Sequence, residues 1–400
     1  MSRSLPGHPV TRRAPGSESA SSSLELFYDL VFAFTITQVS HLLIGTLNWT
    51  GAIQASIVLL GAWWSWNYTT WFTDELEGDA VPIRLLMFGL MALSLLMAIA
   101  IPEAFGDRGW LFALTYVAIQ LGRHGFLAFA AAERGSPERE RALHILIWFL
   151  AAGVFWIGGA FVDGRARIAV WAVALAIDYA APRVYFRVPG RPRLGGDAWQ
   201  ITPVHFVDRF ASFVILTLGE AIAITGATMT ADALSAPRIV AFVVSFLGSA
   251  AFWWLYFSRA RDAATFLSRS RVDGQTDVAR DAFAYGHVLL VAGILLAAVG
   301  DEFVLDHPLH ALSARELLPV VLGPVVFLLG QVFIAWRLVR EVEVMRLGAA
   351  LGVVAIGVGA VALSAPALAV SGTILLLLAV VLAFAIWGRP TAHDRKLGRT

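Results

Sequence analysis

The chain has 400 residues, of which 58% are apolar and 15% are charged, and its mean hydropathy is +0.71. About a quarter of the residues of soluble domains are charged, so this composition excludes an ordinary soluble protein and indicates a polytopic membrane protein. The absence of cysteine excludes disulfides and thiolate metal sites, and a net charge of +1 gives no indication of a nucleic-acid partner.

The first 23 residues are rich in Ser, Pro, Gly and Arg and lack the apolar core of a signal peptide. They predict a disordered tail. After them the chain contains stretches of about 20 residues that are nearly free of charge, the length that crosses a hydrocarbon core of about 30 Å. We predict twelve such spans, near residues 24–45, 52–73, 82–103, 110–131, 143–162, 167–185, 204–228, 238–258, 282–302, 315–337, 347–364 and 367–388.

The distribution of basic residues predicts the orientation. With a cytoplasmic N-terminus, 23 of the 30 Lys and Arg residues fall in the two tails and the loops on that side, five fall on the opposite side and two fall within spans. This asymmetry follows the positive-inside rule and supports an even number of helices. We therefore expect a multi-pass membrane protein with both termini in the cytoplasm and the lipid bilayer as its surroundings.

The spans contain a weak internal repeat. FVDRFASFVILTLGE at 206–220 aligns with FYDLVFAFTITQVSH at 27–41 at a constant offset, and FWWLYFS at 252–258 aligns with AWWSWNY at 62–68. We expect an all-α bundle of about 12 helices in two six-helix halves of the same orientation, 24–185 and 204–388. The predicted organisation also includes three cytoplasmic segments, which are a tail at 1–23, a linker at 186–203 and a tail at 389–400.

Ionisable residues within spans are costly in lipid, so each is expected to face protein or water. Ser22 and Glu25 have the spacing of a capping box, which predicts a helix cap at Glu25. Asp29 lies one turn beyond Glu25 on the same helical face and needs a cation, for which Arg123 and Arg209 are the candidates. The alternatives are a structural salt bridge and a proton or ion relay.

A second polar group lies deeper in the predicted spans. Asp208 aligns with Asp29 and Glu220 aligns with His41, and Gln38 is one turn before that histidine. A histidine near a glutamate is suited to proton handling because imidazole titrates near neutral pH. The alternative is a hydrogen-bonded interior pair without a transport role. The candidate solute or proton pathway comprises Asp29, Gln38, His41, Arg123, Asp208, Arg209 and Glu220.

Other features favour structural explanations. The tryptophans at 63–71 and 253–254 predict interfacial anchoring, with cavity lining by Trp63, Trp66 and Asn67 as the less favoured alternative. Gly323-Pro324 predicts a kink or a helix break at a binding site. His205 follows Thr202-Pro203, which predicts a helix start that leaves the histidine at the solvated end.

Sequence motifs of several enzyme classes are missing. The chain has no Walker loop, no dinucleotide fingerprint, no H-E-x-x-H and no G-x-S-x-G, and no residue set has metal-ligand spacing. We therefore expect no catalytic residues, no metal and no cofactor, and we do not favour an enzyme. A lipid-active intramembrane enzyme is the weak alternative.

ELFYDLVFAFTITQVSHLL at 25–43 and DRFASFVILTLGEAI at 208–222 resemble the two hallmark motifs of the bacterial low temperature requirement A (LtrA) proteins. The resemblance covers nearly the whole chain, although the family's second motif commonly starts with a glutamate where this chain has Asp208. It implies a multi-pass bacterial inner-membrane protein required for growth at low temperature, and it implies no activity, substrate or functional residue.

Two classes of function remain. We expect a secondary transporter or permease for a small solute or ion, with proton coupling as an option, because matched polar positions in two halves favour a shared interior site. The alternative is a non-transporting structural or regulatory membrane protein whose buried charges only hold helices together. A water-accessible cavity at the polar residues favours transport, and dry, fully paired charges favour the structural role.

Overall fold

The computed structural model describes residues 21–76, 80–194, 201–231, 234–269 and 272–387. Most of the predicted N-terminal tail, residues 195–200 of the predicted linker and the predicted C-terminal tail lie outside the described residues. Those three predictions therefore stay predictions.

The described residues form thirteen α-helices, most of them joined by short connections. Four of the described helices start at side-chain caps: Ser22 and Glu25 form the predicted capping box at the first, Asn48 caps the second, Ser136 caps the fifth, and Ser313 with Glu316 forms a capping box at the eleventh. The helices are α1 Ser23–Gly45, α2 Trp49–Glu75, α3 Val81–Ala100, α4 Gly109–Phe126, α5 Pro137–Ala160, α6 Gly164–Ala180, α7 Pro203–Ala231, α8 Ala236–Arg269, α9 Val272–Ala279, α10 Gly286–Asp306, α11 Ala314–Val339, α12 Val344–Leu363 and α13 Ala367–Trp387.

Nine helical segments within the described ranges are long and apolar enough to cross a membrane. They are Ser23–Gly45, Val81–Glu103, Pro137–Ala160, Pro203–Thr230, Ala236–Arg259, Thr276–Asp306, Ala314–Val339, Val344–Leu363 and Ala367–Ile386. The chain is therefore an all-helical, multi-pass membrane protein, as predicted. The other three predicted spans coincide with α2, α4 and α6, which are helical but are not among the nine. The count of twelve spans stays a prediction.

The chain divides into two compact units. Unit 1 comprises Met1–Glu220 and Ala263–Val288, and unit 2 comprises Ala221–Asp262 and Leu289–Thr400. These boundaries differ from the predicted halves, and the arrangement in two six-helix halves is not confirmed.

Unit 1 is built around α1 to α6 and the start of α7. Consecutive helices α3, α4, α5 and α6 pack against one another, and α1 packs against both α2 and α3. Aromatic side chains fill the core, where Trp66 lies 4.2 Å from Phe213 and Trp64 stacks on Tyr179 at 3.9 Å between ring centroids. Offset and edge contacts of this kind add to the burial energy of large rings.

Unit 2 contains a close helix pair, α10 and α11, whose backbones approach at glycines. A Cβ atom added to Gly293, Gly300 or Gly323 would lie 2.5 to 2.7 Å from a backbone nitrogen of the facing helix. Small residues permit such close packing in membranes, where van der Waals contact replaces the hydrophobic effect as the driving force. These glycines fix the position of the residues beside them, including Asp301.

Candidate functional site

A buried ion pair joins α1 to α7 in unit 1. Asp29 accepts two hydrogen bonds from the guanidinium of Arg209, of 2.6 and 2.7 Å, and a third of 2.7 Å from Nε1 of Trp66. Neither charged side chain is exposed. The structure therefore pairs Asp29 with Arg209, one of the two arginines that the sequence offered, in the bidentate geometry typical of strong Arg and carboxylate contacts.

One turn earlier, His205 lies between two carboxylates. Its Nδ1 atom is 2.8 Å from Oδ1 of Asp74, and its Nε2 atom is 3.2 Å from Oε2 of Glu25. His205 is fully buried, so the prediction that it lies at a solvated helix end is wrong. The reason is tertiary: the start of α7 packs against the end of α2, where Asp74 also accepts a 2.7 Å bond from the Thr202 amide.

Arg123 does not pair with Asp29, although the sequence analysis named it as one of the two candidate cations. Its guanidinium donates to the carbonyl of Ser65 at 3.1 Å, to Oγ1 of Thr69 at 2.8 Å and to the amide oxygen of Gln120. Within the described residues no carboxylate contacts this buried cation. Its charge is instead dispersed over neutral oxygens and the ring of Tyr68, whose centroid is 5.7 Å away.

A hydrogen-bonded relay connects Arg123 to a buried acid. The Gln120 amide donates to Oη of Tyr116 at 3.1 Å, and Tyr116 donates to Oδ2 of Asp178 at 2.6 Å. The same Oδ2 atom accepts a 2.9 Å bond from Nε1 of Trp156, while Oδ1 has no hydrogen-bond partner. Hydrogen bonds through two neutral side chains, Gln120 and Tyr116, thus connect Arg123 to Asp178.

A cavity that is open to the outside lies near these clusters in unit 1. It is lined mainly by aromatic rings, and its charged lining groups are Arg141, which pairs with Glu75, and Arg280, which pairs with Asp277 and Asp281. The lining residues are Trp64, Asn67, Tyr68, Trp71, Phe72, Glu75, His124, Leu127, Arg141, Ile145, Pro182, Tyr185, Phe186, Thr276, Arg280 and Ala284.

Two residues of this lining carry buried polar atoms without a partner. Nε1 of Trp64 and Oδ1 of Asn67 make no hydrogen bond, although Trp64 is 0% and Asn67 is 2% exposed. The two residues are three positions apart on α2 and therefore share one helical face. An unpaired buried donor or acceptor costs about 1 to 3 kcal/mol. The lining therefore includes two residues with unsatisfied polar atoms, one a donor and the other an acceptor.

The remaining predicted pathway residues occupy different environments. Asp208 accepts a 2.9 Å bond from the amide of Ser21 and a 2.6 Å bond from its hydroxyl. The carboxylate of Glu220 accepts a hydrogen bond from Thr37, and Gln38 is half-buried. His41 is exposed and makes no hydrogen bond or ion pair with any described residue. The proposed pairing of His41 with Glu220 stays a prediction.

Asp74, Asp178 and the cavity were missed by the sequence reasoning. Asp74 follows the end of a predicted span and so drew no attention as an intramembrane acid. Asp178 lies in the apolar run ALAIDYA, within the predicted span 167–185, and the rule that singles out acids within spans identifies it. The sequence predicted part of the cavity lining, because Asn67 was a predicted lining residue. Trp64 lines the cavity with Asn67, whereas the predicted Trp63 and Trp66 do not.

Within the described ranges, no group of three or more His, Asp or Glu side chains has the arrangement of a metal site. The site chemistry is thus that of ion pairs, hydrogen bonds and aromatic faces.

Comparisons with known proteins identify the family. The family model of the bacterial low temperature requirement A protein (LtrA) matches residues 20–383. The chain is 33% identical over 375 residues to the uncharacterized protein RA0937 of Rhizobium meliloti (strain 1021), with 92% of this chain and 90% of that protein covered. No solved structure matches the chain. The chain belongs to the bacterial low temperature requirement A family.

Proposed function

We propose that this protein is a secondary transporter or permease of the bacterial inner membrane and that the aromatic cavity of unit 1 holds its solute. The observation that carries the proposal is the pair of unpartnered polar atoms on Trp64 and Asn67, two residues that line this open cavity. Pockets that bind small molecules combine an apolar lining with a few convergent polar groups.

The lining indicates the class of solute. Trp64, Tyr68 and Trp71 offer flat aromatic faces, which suit a planar or apolar body. Carboxylates balance both arginines of the lining, whereas the buried Arg123 nearby is a cation without a carboxylate partner among the described residues. We therefore propose a small organic solute that carries an acidic group, with Asn67 and Trp64 as its hydrogen-bonding partners.

The proposal gives the predicted pathway residues a supporting role. The Asp29 and Arg209 pair and the His205 cluster hold α1, α2 and α7 together near the cavity. Proton coupling, through His41 and Glu220, remains part of the proposal. The predominance of Lys and Arg in the tails and in alternate loops supports cytoplasmic termini, and no catalytic reaction is assigned.

A specific observation favours the second candidate, a non-transporting structural or regulatory membrane protein. The Asp29 and Arg209 side chains are 0% exposed and paired with each other, which is the arrangement expected of charges that only lock helices. On this alternative the cavity is a packing imperfection and the unpartnered atoms have no ligand.

The test compares a deletion strain with the same strain carrying the wild-type gene, at low and normal temperature, by untargeted measurement of metabolites inside cells and in the medium. Transport predicts that at least one compound changes its distribution across the membrane on deletion. Uptake of that compound is then measured in proteoliposomes of the purified full chain.

Two variants assign the solute to the cavity. Trp64→Phe keeps an aromatic ring but removes the N–H donor, and Asn67→Leu removes the acceptor, so both should lower uptake at least tenfold. Trp254→Phe is the matched control, because Trp254 is half exposed and outside this lining. Unchanged uptake by both cavity variants would place the solute elsewhere, and an unchanged metabolite distribution on deletion would favour the structural candidate.

A further inference from the structure

A second cavity lies in unit 2 among α8, α10, α11 and α13. Its lining is apolar except for Asp301 of α10, Ser245 and Ser249 of α8, and Ser371 of α13. Asp301 lies within the apolar segment Thr276–Asp306, one of the nine candidate spans. An acid at such a position is costly unless it has a charge partner or a bound cation.

Among the described residues, no arginine, lysine or histidine pairs with Asp301, whereas Asp29 of unit 1 is paired with Arg209. The Ser245 side chain is close enough to interact with the Asp301 carboxylate, but its hydroxyl makes no hydrogen bond. Ser245 is 4% exposed, and the hydroxyl of Ser371 is also buried without a partner. Two unpartnered hydroxyls thus line the same cavity as one unpaired carboxylate.

A proline contributes a further oxygen. Pro324 lies inside α11, and because it has no N–H it cannot donate the usual helical hydrogen bond to the carbonyl of Val320, four residues earlier. Both residues line the cavity. A Cβ atom added to Gly300 would lie 2.7 Å from the backbone nitrogen of Val320, and this close approach brings the same turn of α11 beside Asp301.

We propose that this cavity is a binding site for a monovalent metal cation of the size of sodium. Asp301 would supply the charge, and the hydroxyls of Ser245, Ser249 and Ser371 with the Val320 carbonyl would supply neutral oxygens. Hard cations take oxygen ligands, and sodium sites in membrane transporters use backbone carbonyls freed from helices. A single carboxylate balances one positive charge, whereas protein sites for divalent cations commonly gather several acidic groups.

The site does not rest on the solute permease proposed above, because cation binding is measured without any flux. The experiment uses the purified full chain in detergent, with choline chloride replaced stepwise by sodium chloride at constant ionic strength. A ligand that binds only the folded state raises the melting temperature, and this rise continues with the logarithm of the ligand concentration above the Kd. We expect a rise of several degrees with sodium and saturable binding of one ²²Na⁺ per chain at equilibrium.

Three variants test the assignment. Asp301→Asn should fold and melt in choline at least as high as the wild type, because it removes an uncompensated charge, but it should lose the sodium response and bind ²²Na⁺ at least tenfold more weakly. Ser245→Ala should weaken sodium binding severalfold. Asp306→Asn, at the exposed end of the same helix, is the control and should bind like the wild type.

Three results would overturn the proposal: no ²²Na⁺ binding by the wild type, undiminished binding by Asp301→Asn, or an equal effect of Asp306→Asn. Calcium or magnesium that displaced ²²Na⁺ at a lower concentration than unlabelled sodium would overturn the choice of a monovalent cation.

Discussion

The carboxylate of Asp29 and the guanidinium of Arg209 meet in two parallel hydrogen bonds of 2.7 and 2.6 Å, and neither side chain is exposed. The two residues are 180 positions apart in sequence. The pair therefore fixes α7 against α1 at one register, because a shift of either helix would separate two buried charges.

Removing one partner of this pair should destabilise the fold strongly. Asp29→Asn leaves the Arg209 charge buried without its counter-ion, and loss of one member of such pairs typically costs about 3 to 5 kcal/mol. We expect a large fall in the melting temperature of the purified protein. The double variant Asp29→Leu with Arg209→Met, which removes both charges, should recover most of that loss.

The double variant also separates the two candidate functions. A well-folded double variant that supports growth at low temperature would make the pair structural alone. One that folds but fails to support growth would assign the pair a functional role. Equal melting temperatures of Asp29→Asn and the wild type would contradict the stabilising role.

His205 should be required for the packing of α1, α2 and α7. Its two ring nitrogens face Asp74 and Glu25, and an imidazole donates to both only when both nitrogens carry protons. His205→Phe removes both donors and leaves two buried acids, so it should lower the melting temperature more than His205→Gln, which keeps one donor group. His41→Gln is the control, since His41 is exposed. Equal melting temperatures of His205→Phe and His41→Gln would refute this assignment.

The sequence predicted the helices better than it predicted the contacts between them. Runs of apolar residues identified the membrane class and the helices, and the spacing of Ser22 and Glu25 identified the cap, because these properties depend on residues close together in the chain. The contact of His205 with Asp74 joins residues 131 positions apart and depends on how helices pack. Composition and spacing carry no information on such contacts.

The partner of Asp29 shows the same limit. Sequence reasoning offered Arg123 and Arg209 as equivalent cations within spans, and only the packing of α7 on α1 selects Arg209. Arg123 instead lies against α2, where Ser65 and Thr69 supply the oxygens. The position of the two arginines within predicted spans thus indicated that each needs a polar partner. The packing of the helices determines which partner each one contacts.

The relay from Arg123 to Asp178 should tolerate loss of charge at Asp178 better than loss of its oxygen. Asp178→Asn keeps an acceptor for Tyr116 and Trp156, whereas Asp178→Leu leaves both donors buried and unpaired, at a cost of about 1 to 3 kcal/mol each. We expect the leucine variant to melt well below the asparagine variant. A leucine variant that melted at or above the asparagine variant would show that the acceptor oxygen for Tyr116 and Trp156 does not stabilise the fold.

Close packing of α10 and α11 should make Gly323 intolerant of the smallest side chain. A Cβ at this position would lie 2.5 Å from the backbone nitrogen of Ala297, and backbone cannot move aside as a flexible side chain can. Gly323→Ala should therefore cost about 1 to 3 kcal/mol, the usual cost of overpacking, and lower the melting temperature. Gly348→Ala is the matched control: Gly348 is also helical, but no atom lies within 4 Å of its Cβ position, so the variant should be neutral or stabilised by about 0.5 to 1 kcal/mol. Equal melting temperatures for the two variants would show that α10 and α11 separate without cost, and the placement of Asp301 beside Val320 would then lose its support.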